Sequence, residues 1–135
     1  MQSFICALTL SIICKFLSTL IYFHDFGYSI TLLQQQHFTK LYLNTLNAQS
    51  RCAFVFDVRK VSNVEPRAVI EHVRVFKQLK ALNKAKVAGF GVLLDSNMLR
   101  GILDSIFRLV PPSSPFVVTK HQKNSLKHCA EMLML

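Results

Sequence analysis

The chain has 135 residues, 51% of them hydrophobic and 17% charged, with a formal net charge of +9 at pH 7. This length suits one domain with a substantial core. The four cysteines form no CxxC pair and have no histidine at zinc-finger spacing, which excludes a zinc finger and predicts buried, reduced thiols.

Residues 1–23 are almost entirely apolar, and their length suits a membrane span. Lys15 interrupts the run, no basic residue precedes it, and no cleavage site stands out near its end. Three interpretations stay open: a membrane anchor or uncleaved signal, a helix that packs on the domain, or two strands near Phe4–Cys14 and Leu17–Phe23. We therefore divide the chain into an apolar segment, residues 1–28, and an α/β domain, residues 29–135. We expect a cytoplasmic protein, membrane-associated if residues 1–23 are an anchor.

From Ser29 onward the signals are regular. Thr31 and Gln34 fit a capping box that opens a helix over about residues 31–47, with Leu33, His37 and Leu41 on its apolar stripe and Phe38 on the next row. Arg51–Val58 is nearly continuous in apolar residues, which predicts a strand covered on both faces.

Pro66 suits the first turn of a second helix. The predicted apolar stripe of this helix is Ile70, Val73, Phe76 and then Leu79 or Lys80. Lys86–Asp95 is the next predicted strand, in which Gly89 and Gly91 allow a close backbone approach.

Ser96 can cap a third helix with Leu99, Ile102 and Ile106 on its stripe, which Pro111 and Pro112 stop. Pro115–Val118 is a short final strand, and Thr119 with Gln122 is a second candidate capping box for the last helix. This alternation predicts an α/β fold: a single, mostly parallel sheet of four to five strands with alternating helices. The strands 52–58 and 87–94 should be parallel neighbours. The residues expected to be buried are Phe54, Phe56, Val92 and Leu94, with Phe76 and Ile102 packed over the sheet.

Two stretches carry a family resemblance: residues 53–62, AFVFDVRKVS, and residues 92–96, VLLDS, followed by the helix of residues 98–107. They resemble the STAS domain of anti-sigma factor antagonists and sulfate transporter tails, with the lipid-binding CRAL-TRIO fold as a neighbour. The resemblance implies two further strands within residues 4–23. It also implies a phosphorylated serine motif after the central strand, but this chain has Glu65-Pro66-Arg67-Ala68 there, so we do not expect a phosphorylation switch in residues 62–68.

Two carboxylates, Asp57 and Asp95, end predicted parallel strands, where ligands of open parallel sheets bind. Ser62, Ser96 and Asn97 lie in the same loops. These five residues are candidate ligand contacts, and the two carboxylates could serve a small enzyme, or they could only cap helices and bind loop amides. We find no catalytic motif, no metal-binding constellation and no cofactor fingerprint.

Residues 51–86 carry nine basic side chains against three acidic ones. Such a surface attracts phosphate, acidic lipid headgroups or an acidic partner. Nucleic acid is disfavoured because Phe54, Phe56 and Phe76 are expected in the core, not on an exposed stacking face. The predicted basic patch consists of Arg67, Arg74, Lys77 and Lys84.

Our leading functional expectation is a non-enzymatic STAS-like module that binds a protein partner or an anionic ligand. The alternative is a membrane-tethered or lipid-binding, CRAL-TRIO-like protein. A small enzyme that uses Asp57 and Asp95 comes third.

Overall fold

A computed structural model describes residues 4–9, 18–24 and 26–135. Its main feature is a five-stranded sheet in the order β1-β2-β4-β6-β7. The strands are β1 (Phe4–Thr9), β2 (Ser18–His24), β4 (Arg51–Asp57), β6 (Val87–Leu93) and β7 (Phe116–Thr119). A separate two-stranded sheet pairs β3 (Ser29–Ile30) with β5 (Asn63–Val64).

The main sheet is parallel except at one edge. β2, β4, β6 and β7 pair in parallel, and β1 lies antiparallel to β2. The α/β class and the parallel pairing of β4 with β6, in which Phe54 lies opposite Phe90, are confirmed. β1 lies within the first stretch expected as a strand, and β2 covers residues 18–23 of the second and extends one residue further, to His24. Residues 10–17 lie outside the described part of the chain. Within that part, no helix has the length and apolar character that crossing a membrane requires.

Five helices accompany these strands in the described part of the chain, the last of them after β7: α1 (Leu32–Ala48), α2 (Pro66–Gln78), α3 (Lys80–Lys86), α4 (Asn97–Leu109) and α5 (Gln122–Leu133). The helix expected from Pro66 is divided at Leu79, whose backbone (φ −89°, ψ 3°) leaves the helical region. The capping box of Thr31 and Gln34 is confirmed. The box expected at Thr119 is wrong, because β7 includes Thr119 and α5 begins at Gln122 without a side-chain cap.

The sheet has two unlike faces because successive residues of a strand point to opposite sides. One side, which we call the aromatic face, packs Phe23 of β2 and Phe54 of β4 against Phe38 and Tyr42 of α1, with α2 and α4 contributing further apolar residues. The other side, which we call the α5 face, packs Leu20, Ala53, Val55 and Leu93 against Cys129 and Leu133 of α5. Phe54, Val92 and Leu94 are buried as expected, whereas Phe56 is only partly buried.

The inward stripes of α1 and α2 differ from those that the apolar pattern predicts. On α1 the buried residues are Gln35, Phe38, Tyr42 and Leu46, while Leu33 is 76% exposed and His37 is exposed. On α2 the buried residues are Ala68 and Val75, and Ile70 is 68% exposed. The face that α1 buries carries large apolar residues, Phe38, Tyr42 and Leu46, beside Gln35, and Gln35 is hydrogen-bonded to His72 of α2.

Candidate functional site

A cavity of about 210 Å³ lies between the aromatic face of the sheet and helices α1, α2 and α4. Its floor is formed by β4 and β6, with Phe54, Phe56, Phe90 and Val92. No residue of α5 lines it, and the lining contains no Lys, Arg, Asp or Glu among the residues that the structure describes. A mostly apolar, concave site with a few polar groups is the usual form of a small-molecule binding site.

Aromatic rings hold the sheet side of the cavity in place. Phe54 and Phe56 are two residues apart on β4, so both rings point to the same face, stacked with centroids 5.8 Å apart. Phe38 of α1 meets Phe56 edge to face at 5.8 Å, and Tyr42 lies 4.7 Å from Phe54. Edge-to-face and offset contacts of this kind add about 0.5–1.5 kcal/mol each beyond the area they bury. The wall is therefore an interlocked set of rings.

A polar pair lies in this apolar wall. Gln35 of α1, only 7% exposed, bonds through its side-chain amide to Nδ1 of His72 on α2 at 3.2 Å. The imidazole is stacked on Phe76, with ring centroids 4.1 Å apart. Burial in these surroundings lowers the pKa of His72 to about 4, because the charged form loses its hydration. The imidazole is therefore neutral at pH 7.

Other polar side chains of the lining already bond within the protein. The Tyr42 hydroxyl donates to Oδ1 of Asn83 at 2.7 Å, and the Ser114 hydroxyl donates to the carbonyl of Val87 at 2.6 Å. Gln34 Oε1 accepts from the backbone N–H of Thr31 in the capping box. These bonds fix the wall in position.

Asp57 lies on the opposite side of the sheet and is fully engaged. It accepts from the Tyr22 hydroxyl at 2.6 Å and from Nε and an Nη of Arg59 at 2.9 and 2.7 Å. Burial by itself would raise the pKa of Asp57, but the Arg59 and Tyr22 hydrogen bonds outweigh it and lower the pKa below its usual value. Burial, reinforced by Asp57, raises the pKa of Tyr22 to about 12. This arrangement favours the ionised carboxylate and holds it in an ion pair, and Asp57 does not line the cavity.

The remaining predicted ligand contacts have local structural roles or are exposed. Ser62 is exposed and its hydroxyl donates to the carbonyl of Tyr28. Ser96 caps α4 by accepting from the N–H of Leu99, and both Asp95 and Asn97 are exposed. None of the five predicted contacts lines the cavity.

The residues of the predicted basic patch are all exposed. Arg67 forms an ion pair with Glu65 at 2.6 Å, and Arg74 forms one with Glu71. Exposed pairs of this kind contribute little to stability, but each one neutralises a positive charge that an anionic partner would otherwise meet.

In the described part of the chain, no three His, Cys, Asp or Glu side chains are grouped to hold a metal ion. Cys52 and Cys129 are buried and free, and burial raises the pKa of each thiol to about 12. Neither is a thiolate at neutral pH, so neither has the reactivity of a nucleophilic cysteine.

Gln35 and His72 are the two site residues that sequence reasoning missed. Each is a polar residue on the inward side of its helix. A helix face chosen by its apolar residues alone does not include them. A usable signal is present in the spacing: Gln35, Phe38, Tyr42 and Leu46 follow helical periodicity as well as the apolar set does.

No protein-family model and no curated protein matches the chain. Among solved structures it is similar to an uncharacterized protein of the DUF3478 family from Shewanella loihica PV-4, which is described as having a SpoIIAA-like fold. The two share 9% sequence identity, the alignment covers 96% of each chain, and the TM-score is 0.59. Identity this low establishes the fold alone. The chain has a SpoIIAA-like, and therefore STAS-like, α/β fold.

Proposed function

We propose that this protein is a non-enzymatic binding protein that holds a small apolar molecule in the cavity on its aromatic face. The observation that carries the proposal is an apolar, partly open space of about 210 Å³ between the sheet and the helices that cover it. Protein interiors are normally packed to the density of organic crystals, with few voids larger than a water molecule. Apolar surface left facing water in such a space favours a ligand that covers it.

The size of the cavity sets the size of the ligand. Engineered apolar cavities of about 150 Å³ stay dry and bind benzene. A cavity of about 210 Å³ suits a molecule somewhat larger than benzene, such as a short chain or a single substituted ring. This proposal develops the lipid-binding alternative of the sequence analysis and limits the ligand to the end of an acyl chain or a compact apolar molecule.

The cavity reaches the protein surface at two places. Gln34, at the start of α1, and Pro111, in the turn after α4, both line it and reach the surface, at opposite ends of the parallel strands. A small molecule could therefore enter without crossing the sheet.

The proposal is tested by titrating the full chain with hexane and with benzene and following the side-chain NMR signals of the lining. We expect saturable shifts at Phe56, Ile102 and Val92, and none at Cys129 behind the sheet. Ile102→Phe, on the cavity side of α4, should abolish binding because the added ring fills the space.

The matched control is Leu109→Phe on the same helix. Leu109 is 58% exposed and does not line the cavity, so this variant should bind both probes as the parent does. Loss of binding in both variants, or unchanged binding in Ile102→Phe, would show that the probes do not occupy the cavity.

Binding of a protein partner or an anionic ligand stays a prediction. It is supported by the exposed basic side chains of α2 and α3, and its test is given below with a control on the opposite face.

A further inference from the structure

We propose that the natural ligand carries one uncharged hydrogen-bonding group, a hydroxyl or a carbonyl, and that Gln35 and His72 bind this group inside the cavity. The inference rests on the proposed function, because it specifies which class of apolar molecule the cavity selects. It makes the ligand amphipathic, with a short apolar body and a neutral polar end.

The position of the pair supports this assignment. Gln35 and His72 both line the cavity, and they lie on the inward sides of two neighbouring helices. Gln35 is only 7% exposed, yet neither its Oε1 nor Nε2 of His72 is among the fully enclosed polar atoms without a partner, so both can be reached through the cavity. A ligand group would replace the water that meets them there. Polar groups placed in an otherwise apolar pocket are the usual means of orienting a ligand.

The hydrogen-bonding capacity of the pair is only partly used. The single bond between them occupies Nδ1 of His72 and one N–H of the Gln35 amide. With that amide nitrogen donating to Nδ1, the proton of the neutral ring resides on Nε2, which becomes a donor. In the described residues, Nε2 of His72 and Oε1 of Gln35 bond to no protein group. The site therefore offers two donors, Nε2 of His72 and the second amide N–H of Gln35, and one acceptor, Oε1 of Gln35. A hydroxyl can use a donor together with the acceptor, and a carbonyl can use the donors.

The charge of the surroundings determines the charge of the ligand group. No Lys, Arg, Asp or Glu appears among the described residues of the lining, so nothing there could balance an ion. Burying an unpaired ionised carboxylate or ammonium in an apolar site is far more costly than burying a hydroxyl that finds partners. A neutral imidazole, favoured by the low pKa of His72, is consistent with a neutral guest.

The test uses three probes with the same chain length, hexane, 1-hexanol and hexanoate, titrated into the full chain at pH 7. Two variants each remove one half of the pair: His72→Phe keeps a ring on Phe76, and Gln35→Leu keeps the size of the side chain. Ile102→Val is the control, because it trims the apolar wall and should change the affinities for hexane and 1-hexanol by the same factor.

The readout is the ratio of the affinity for 1-hexanol to the affinity for hexane. Loss of one hydrogen-bonding partner should lower this ratio about tenfold in His72→Phe and in Gln35→Leu, and leave it unchanged in Ile102→Val. In the parent protein, hexanoate should bind at least about tenfold more weakly than 1-hexanol. Two variants on separate helices keep the test decisive if one of them fails to fold.

The contrary outcomes separate the inference from the function it refines. A ratio that stays constant in both variants, while hexane and 1-hexanol still bind, overturns the role of the pair and leaves the proposed function intact. Hexanoate binding more tightly than 1-hexanol also overturns it, since the site would then accept a charge. Failure of all three probes to bind overturns both proposals.

Discussion

The two faces of the sheet are built from the same strands and are packed in opposite ways. On the α5 face β6 presents two glycines to the helix: Gly89 and Gly91 lie beneath Met132 and Ser125. A Cβ atom on Gly91 would lie 1.8 Å from Oγ of Ser125, so the helix approaches β6 as closely as a glycine permits. No space for a guest is left at this contact.

The aromatic face carries large residues and is nevertheless the face with the cavity. Its rings contact one another in a connected cluster, with Phe23 stacked on Phe54 and Phe56 at 5.7 Å. Rigid planar rings that brace each other hold the helices away from the sheet, whereas glycines let a helix settle onto it. Large side chains on one face of a sheet can therefore leave a cavity when ring contacts set their positions.

The largest expected effect concerns Phe56→Ala on the aromatic face. We expect a loss of about 3–5 kcal/mol in the free energy of unfolding, since the ring contacts Phe23, Phe38 and Phe54. Urea denaturation measures it. Phe116→Ala on β7 is the control: this ring is 41% exposed, and its truncation should cost about 1 kcal/mol. A loss below about 1 kcal/mol for Phe56→Ala would mean that the ring cluster does not hold this face.

The next effect tests the close contact on the α5 face. Gly91→Ala should cost about 2–3 kcal/mol, because the new methyl group collides with Ser125 in a packed layer. Adding Ser125→Ala should recover part of this loss, since it removes the hydroxyl in the collision, which has no hydrogen-bonding partner in the described residues. Both are measured by urea denaturation.

A second glycine provides the control for that prediction. Gly101, in the interior of α4, has nothing within 4 Å of the position of an added Cβ. Gly101→Ala should therefore stabilise the protein by about 0.5–1 kcal/mol, through helix propensity alone. Equal effects at the two glycines would show that the α5 face is not more tightly packed than an exposed helix surface.

The third prediction uses pH to probe the aromatic face. The unfolded chain binds a proton at His72 below its ordinary pKa of about 6.5, whereas the folded protein binds one only below about 4. The contribution of His72 to stability is therefore complete above pH 6.5 and is lost as the pH falls from 6.5 to 4, by at most about 3 kcal/mol.

The measurement is the free energy of unfolding across that range, in the parent and in His72→Phe. The variant should show a flatter profile between pH 6.5 and 4. Because the pKa of Asp57 is lowered, the stability that its ion pair contributes is lost at more acidic pH. Both proteins contain this ion pair, so it does not account for a difference between their pH profiles. An unchanged slope in the variant would place His72 in contact with water.

The sequence predicted the sheet and missed the site for one physical reason. Strands β4 and β6 are continuous apolar runs, and the hydrophobic effect places such runs in a core whatever surrounds them. Helices α1 and α2 present polar residues, Gln35 and His72, to that core. An apolar stripe therefore led to Leu33 and Ile70, which the structure exposes. The hydrogen bond that gives Gln35 a partner in the core joins residues 37 positions apart, so no local window of the sequence contains it.

The predicted carboxylate contacts lie away from the cavity for a related reason. Asp57 does end a parallel strand, as predicted, but its side chain points to the α5 face because of the strand alternation. There it meets Arg59, two residues along the chain, and is neutralised. Arg59 can be read from the sequence, but the position of its side chain beside Asp57 depends on the turn after β4.

The smallest expected effect concerns basic residues on the outer, exposed side of α2, one of the helices that cover the aromatic face. Arg74 and Lys77 are exposed on α2, and each basic side chain near an anionic membrane contributes about 1 kcal/mol to binding. Binding of the full chain to anionic vesicles should weaken steeply with salt, which screens charges over about 8 Å at physiological ionic strength. Arg74→Glu with Lys77→Glu should weaken it further and leave folding intact, since both side chains are exposed.

The matched control reverses two exposed lysines on the other side of the sheet, Lys123→Glu with Lys127→Glu on α5. Both double variants change the net charge equally, so a general attraction of the +9 chain to anionic lipid would affect them alike. A larger loss for the α2 pair would mean that the helices over the cavity are the side that meets an anionic surface. Equal losses would show that the basic patch is an ordinary solvated surface. The expected loss of binding for the α2 pair is small in any case, because Arg74 is already paired with Glu71.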